Sequence, residues 1–130
     1  MKEDSNLFFS VVIPTYERPD DLRICLNSLG EDIQLGSSTY EIIVSDDSKS
    51  EESRRMVESE FPRIPWGKGK QNGPAGNRNA GVDRARGKWI VFLDDDCIAQ
   101  EDYLDAYAKA IRTNLGTQVF EGRIFADRPR

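Results

Sequence analysis

Three carboxylates in a row, Asp94, Asp95 and Asp96, stand directly after five apolar residues, Trp89-Ile90-Val91-Phe92-Leu93. An apolar run of this kind reads as a buried strand. Carboxylates crowded at its end repel one another and raise each other's pKa unless they splay into water or share a cation. A solvated acidic turn is the plain alternative. Carboxylate oxygens are hard ligands suited to Mg²⁺ or Mn²⁺, and magnesium leaves most of its positions to water and phosphate oxygens. A diphosphate is therefore the natural partner. A second acidic pair, Asp46-Asp47, follows the run Tyr40-Glu41-Ile42-Ile43-Val44. The pair suits hydrogen bonds from a base or a ribose, and an Asx-turn or helix-start role accounts for one of the two equally well. Arg78 comes after Gly73-Pro74-Ala75-Gly76, where it and the N–H groups of a starting helix can meet an anion; a solvated surface arginine is the simpler reading. Tyr16 either stacks on a base or fills the core.

The elements that must position these groups alternate in type. Phe8-Phe9-Ser10-Val11-Val12-Ile13 reads as a buried strand closed by Pro14. Pro19 opens a helix with Asp20 and Asp21 at its positive end, and Leu22, Cys25, Leu26 and Leu29 fall on one face before Gly30. Tyr40–Val44 is the second strand, stopping at Ser45-Asp46-Asp47-Ser48. A shorter helix starts near Ser50 and buries Met56, Val57 and Phe61. From Phe61 to Gly76 prolines and glycines leave room for one short edge strand around Ile64–Trp66. Asn77–Arg86 reads as a helix of small and polar residues capped by Gly87. After the Trp89–Leu93 strand comes a helix over Glu101–Arg112, then a last strand through Val119-Phe120 and Ile124-Phe125. Such alternation predicts one α/β domain over residues 1–130: an open, mostly parallel twisted sheet with helices on both faces. Ligands of such sheets bind beyond the carboxyl ends of the strands, so Pro14-Thr15-Tyr16, Asp46-Asp47 and Asp94-Asp95-Asp96 should open onto one edge.

Composition narrows the chemistry. A length of 130 residues fits one domain, and 38% hydrophobic with 9% aromatic residues suits a soluble globular protein. A net charge of −5 argues against non-specific nucleic-acid binding. Met1-Lys2-Glu3-Asp4-Ser5-Asn6 is too acidic and polar to begin a signal peptide, and no apolar run reaches membrane-span length, so a cytoplasmic location is expected. Cys25 and Cys97 lack metal-type spacing and read as reduced thiols. With no histidine in the chain, a Ser-His-Asp triad, a Cys-His dyad and a histidine base are excluded.

The segments "VVIPTYERPDDL", "EIIVSDDS" and "NGPAGNRNAGVDRARGKWIVFLDDDC" resemble, in this order and spacing, the family 2 glycosyltransferases of GT-A fold, from about Phe9 to Leu104. The resemblance implies the donor-binding half of a longer inverting enzyme, which passes a sugar from a nucleotide diphosphate, most often a UDP-sugar, to an acceptor hydroxyl. It implies that Pro14, Thr15 and Tyr16 line the base pocket, with Glu17 beside them in the substrate-binding set. Asp46 or Asp47 would contact the base, and Arg78 would lie near base and phosphates. Asp94 and Asp96 are the outer members of the DxD motif, Asp94 towards the ribose or a metal water and Asp96 on the Mg²⁺ or Mn²⁺; Asp95 between them belongs to the donor contacts.

The catalytic base of the family lies well downstream of that motif, and nothing marks Glu121 or Asp127 as that group. A saccharide, lipid or protein acceptor, a role in cell-wall or polysaccharide synthesis, and peripheral membrane association through further segments go with the resemblance. Exposed apolar sheet faces would favour self-association. The stretch Trp66-Gly67-Lys68-Gly69-Lys70 departs from the family pattern, a glycine and lysine loop where an edge strand is expected. The rivals are a nucleotide-sugar-binding module without catalysis, a phosphorelay receiver domain and a phosphoaspartate hydrolase. A receiver needs its acid pair after strand one, where this chain has Pro14-Thr15-Tyr16, and the hydrolase needs its Asp-x-Asp near the start of the chain.

Overall fold

A computed structural model of the chain describes residues 6–122. In chain order it contains β1 (Phe9–Thr15), α1 (Pro19–Ser28), β2 (Tyr40–Asp46), α2 (Glu52–Glu60), β3 (Trp66–Lys68), α3 (Pro74–Arg84), β4 (Trp89–Phe92) and α4 (Tyr103–Thr113). The four strands pair in parallel in the order β3-β2-β1-β4. Because each strand is followed by a helix, every connection is a crossover, and parallel pairing is its consequence. The chain steps outward from β1 to β2 and β3, then returns to the far side of β1 for β4. The reversal leaves a crevice beyond the carboxyl ends of β1 and β4, where open α/β sheets bind their ligands.

Alternation along β1 sorts its side chains to two layers. Phe9, Val11 and Ile13 join Leu22, Cys25, Leu26 and Leu29, Val57, and Leu104 and Ala108 of α4 in one buried cluster. Val12 faces the other way, against α3, where Gly81 has no side chain; a Cβ there would strike Val12. Gly87 is required by close approach as well, since a Cβ on it would lie 2.6 Å from the backbone of Phe9 and Ser10. This glycine therefore seats the start of β4 on β1 and does not cap α3, which ends at Arg84 with Ala85 as its cap.

Several boundaries differ from the sequence reading. β1 runs through Pro14 to Thr15. Val12 accepts from Leu93 on the β4 side and Thr15 accepts from Asp47 on the β2 side, so Pro14 turns its missing N–H towards β4, whose pairing has ended at Phe92. α3 begins at Pro74, three residues earlier than expected, because proline is favoured in the first turn. β3 is the stretch Trp66–Lys68, inside the very loop that departs from the family pattern, and it pairs with Val44–Asp46. Its Gly67 faces the Arg84 guanidinium, which donates to Lys68 O at 2.6 Å, so a side chain there would displace the arginine.

β4 is not wholly buried. Among the described residues it is an edge strand, with Val91 buried while Ile90 is 37% and Phe92 50% exposed. The face shared with the main cluster is covered, while α3 packs chiefly over β1 and β2. Val119 and Phe120 form no strand, although Phe120 packs its ring 5.7 Å from Trp89. Ile124 and Phe125 lie outside the described residues, as does Asp127. No described helix is long and apolar enough to cross a membrane.

Candidate active site

The carboxyl ends of β1, β2 and β4 are tied to one another by side chains. Thr15 Oγ1 donates to Asp95 Oδ2 at 2.8 Å, joining the end of β1 to the acidic turn. Asn77, buried on the first turns of α3, donates from Nδ2 to Thr15 O at 3.2 Å and accepts from Ser45 Oγ at 2.8 Å. Asp47 Oδ1 accepts from Gln71 N at 2.9 Å. Gly69 is the residue that lets this loop close, since a Cβ there would collide with the Asp47 and Asn77 side chains. Gln71 takes φ 56° and Gly73 φ 107° just ahead of α3, so the loop turns sharply and delivers the amino end of that helix to the sheet edge.

Between these ends lies a hollow of about 770 Å³. One wall is Pro14, Thr15 and Tyr16; a second is Asp94, Asp95 and Asp96; a third is Gly73, Pro74, Asn77 and Arg78. Asp47, Lys49, Gln71 and Arg18 complete it. Carboxylates and cations thus face one another in a single space, as a site for a metal together with a polyanion requires. A smaller hollow of about 410 Å³ lies at the other end of the fold, beside Gln34, Tyr40 and Leu104, and among the described residues Glu31 is the carboxylate that lines it.

Of the residues singled out in the sequence, Pro14, Thr15, Tyr16, Asp47, Arg78, Asp94, Asp95 and Asp96 line this hollow. Tyr16 is 52% exposed, which rules out its filling the core and leaves its ring open to a planar ligand. Two do not line it. Asp46 is buried with both oxygens occupied, Oδ1 by Ser48 N at 2.8 Å and Oδ2 by Trp66 Nε1 at 2.9 Å. It serves the Asx-turn role and anchors β3, and of the two acids only Asp47 faces the hollow. Glu17 turns away towards the loop after β2, where its carboxylate accepts from Ser50 Oγ at 2.6 Å; that bond holds its pKa below the usual value. Its φ of 53° is what aims it there.

Asp95 is buried between Thr15 and Arg18, and burial raises its pKa against the opposing effects of those two partners. It is a strut of the turn. Asp94 and Asp96 are exposed, and their donor atoms lie with Cys97 Sγ inside a circle of 4.8 Å. The two hard oxygens on an open turn fit a Mg²⁺ or Mn²⁺ ion that keeps positions for water and phosphate, whereas the Cys97 thiol, a soft ligand whose pKa burial raises, does not suit either ion. The sequence spacing gave no hint of Cys97, since its partners are adjacent residues and not a second cysteine or a histidine. Arg18, Lys49, Gln71 and Asn77 were missed too. Arg18 and Lys49 each follow a strand end by a few residues, and the rule that ligands gather beyond those ends is the signal that marks them.

The sequence profile of the Glycosyl transferase family 2 matches residues 10–125. The chain belongs to this family. Among its relatives is GalNAc(5)-diNAcBac-PP-undecaprenol beta-1,3-glucosyltransferase of Campylobacter jejuni, 36% identical over 93 residues, covering 67% of this chain and 29% of the relative. Poly(ribitol-phosphate) beta-N-acetylglucosaminyltransferase TarS of Staphylococcus aureus is 30% identical over 105 residues, covering 77% of this chain and 18% of that protein. The fold is similar to a crystal structure of S. aureus TarS 1-349 in complex with UDP-GlcNAc, with a TM-score of 0.69 at 25% identity over 88% of this chain and 37% of that one. A TarS 1-349 structure in complex with UDP is equally similar, at a TM-score of 0.69. This family 2 chain thus spans about a third or less of the length of these relatives.

Proposed function

We propose that this chain is the donor-binding part of an inverting, metal-dependent glycosyltransferase that takes a sugar from a nucleoside diphosphate, UDP before others. The observation that carries the reading is the single hollow that holds Tyr16 and Asp47, Arg78 and Lys49, and Asp94 and Asp96 together. Its halves have complementary work. Tyr16 offers an open ring face to the base, and the Asp47 carboxylate accepts from the base or ribose. Arg78, Lys49 and the amino end of α3 meet the diphosphate, for which a helix N-terminus and a guanidinium are natural partners. Asp94 and Asp96 would hold Mg²⁺ or Mn²⁺, with Cys97 beside them but not as a ligand; when bound, the ion neutralises charge on the departing diphosphate. UDP is favoured because related TarS structures contain UDP and UDP-GlcNAc.

The proton of the attacking hydroxyl needs a carboxylate base. Glu121 is exposed and outside the hollow, so the base is assigned to a part of the protein beyond these residues. The acceptor is taken to be a saccharide or a lipid-linked glycan, as the names of the C. jejuni and S. aureus relatives suggest. Melting the chain with UDP, GDP and other nucleotides, with and without Mn²⁺, tests the reading. One diphosphate should raise the midpoint only when metal is present, and Asp96→Ala should abolish that rise. Stabilisation by acetyl phosphate with Mg²⁺, and none by nucleotides, would point to a receiver instead.

A further inference from the structure

Arg18 caps the start of α1, and its side chain reaches across to the acidic turn. Its Nη1 lies 3.3 Å from Asp95 Oδ1 and 3.5 Å from Asp96 Oδ2. These two carboxylates differ. Asp95 is buried and already accepts from Thr15, whereas Asp96 is exposed. The other oxygen of Asp96, Oδ1, faces Cys97 Sγ at 3.9 Å, towards the Asp94–Asp96–Cys97 donor cluster. One guanidinium therefore pairs with one oxygen of Asp96 at the surface, while the second, which accepts from Cys97 Sγ, faces the donor cluster, and the charge of Arg18 sits in the same hollow.

We propose that Arg18 is the charge that makes divalent-cation binding depend on the diphosphate, an inference that rests on the donor-binding reading above. Without an anion, Arg18 pairs with the exposed Asp96 and repels an incoming ion of the same sign, so the metal alone binds weakly. When a diphosphate enters, its charge is shared by the ion and the guanidinium, and the repulsion between the two cations is outweighed. Linkage is reciprocal, so the metal raises the affinity for diphosphate by the same factor as the diphosphate raises the affinity for metal. A residue that merely braced Asp96 would act in the opposite sense, since its loss would disorder a ligand and weaken metal binding in every state.

The test is a Mn²⁺ titration read by the electron paramagnetic resonance of the free ion, with and without UDP, on the chain and on Arg18→Gln and Arg18→Lys. In the unaltered chain UDP should tighten Mn²⁺ about tenfold or more, within the usual range of coupling between sites. In Arg18→Gln, Mn²⁺ alone should bind about fivefold tighter and the gain from UDP should shrink to about twofold. Arg18→Lys keeps the charge and should keep most of the coupling. Weaker or unchanged Mn²⁺ binding by Arg18→Gln without nucleotide would overturn the proposal while leaving the donor-binding reading intact. An unaltered chain that binds neither Mn²⁺ nor UDP would overturn both.

Discussion

Thr15 and Asp95, eighty positions apart, are joined by a 2.8 Å hydrogen bond that closes the crevice between β1 and β4 at its floor. The acid is buried, so the hydroxyl is one of two groups compensating its charge; Arg18 is the other. Removing a partner of a buried acceptor leaves part of its desolvation unbalanced. Thr15→Val, which keeps the shape, should therefore cost about 1–3 kcal/mol in urea unfolding. Thr15→Ser should recover most of it, because the donor is restored. The same Thr15→Val variant should bind Mn²⁺ less tightly, as the turn carrying Asp94 and Asp96 loosens.

Asp46 and Asp47 are neighbours with opposite duties. Asp46 spends both oxygens inside the protein on Ser48 and Trp66, so Asp46→Ala should lower stability by about 1–3 kcal/mol. Asp47→Asn keeps an acceptor for Gln71 N while removing the charge that faces the hollow. It should melt within a few degrees of the unaltered chain and lose UDP affinity about tenfold or more by calorimetry. Equal effects of the two substitutions on UDP binding would refute this division.

The two thiols are expected to behave differently. Burial pushes Cys25 up to about 12, so the folded chain keeps a proton that the unfolded chain gives up near the ordinary thiol value. The associated stability is complete below about pH 8.5 and is lost as pH rises through the window to about 12. Urea midpoints measured from pH 8 to 11 should fall more steeply for the unaltered chain than for Cys25→Ala, whatever the variant's starting stability. Native alkylation should modify Cys97 and spare Cys25, and Mn²⁺ with UDP should slow the reaction at Cys97, whose sulfur lies beside Asp94 and Asp96.

How much of this was legible in the sequence follows from the range of the forces involved. The helix of Pro19, Leu22, Cys25, Leu26 and Leu29 was readable because its apolar face and its proline start are local patterns. The meeting of Thr15–Tyr16, Asp47, Arg78 and Asp94–Asp96 at one edge was readable too, because alternating strands and helices bring carboxyl ends together. What escaped were features decided by distant neighbours. Nothing local shows that Trp66 draws Asp46 inward, that Ser50 draws Glu17 away, or that Arg18 turns to Asp95. The apolar run Trp89–Leu93 promised a strand buried on both faces, yet strand order made β4 an edge with Ile90 and Phe92 open.

In the proposed site a divalent ion at Asp94 and Asp96 holds a nucleoside diphosphate in this hollow. Crystals of the chain grown with UDP and Mn²⁺, measured at a wavelength where manganese scatters anomalously, test it most directly. One anomalous peak should lie within coordination distance of Asp96, bridged to the diphosphate, with the base against Tyr16 and Asp47. Manganese bound away from Asp94 and Asp96, or UDP seated outside the walls formed by Tyr16, Arg78 and the acidic turn, would contradict it.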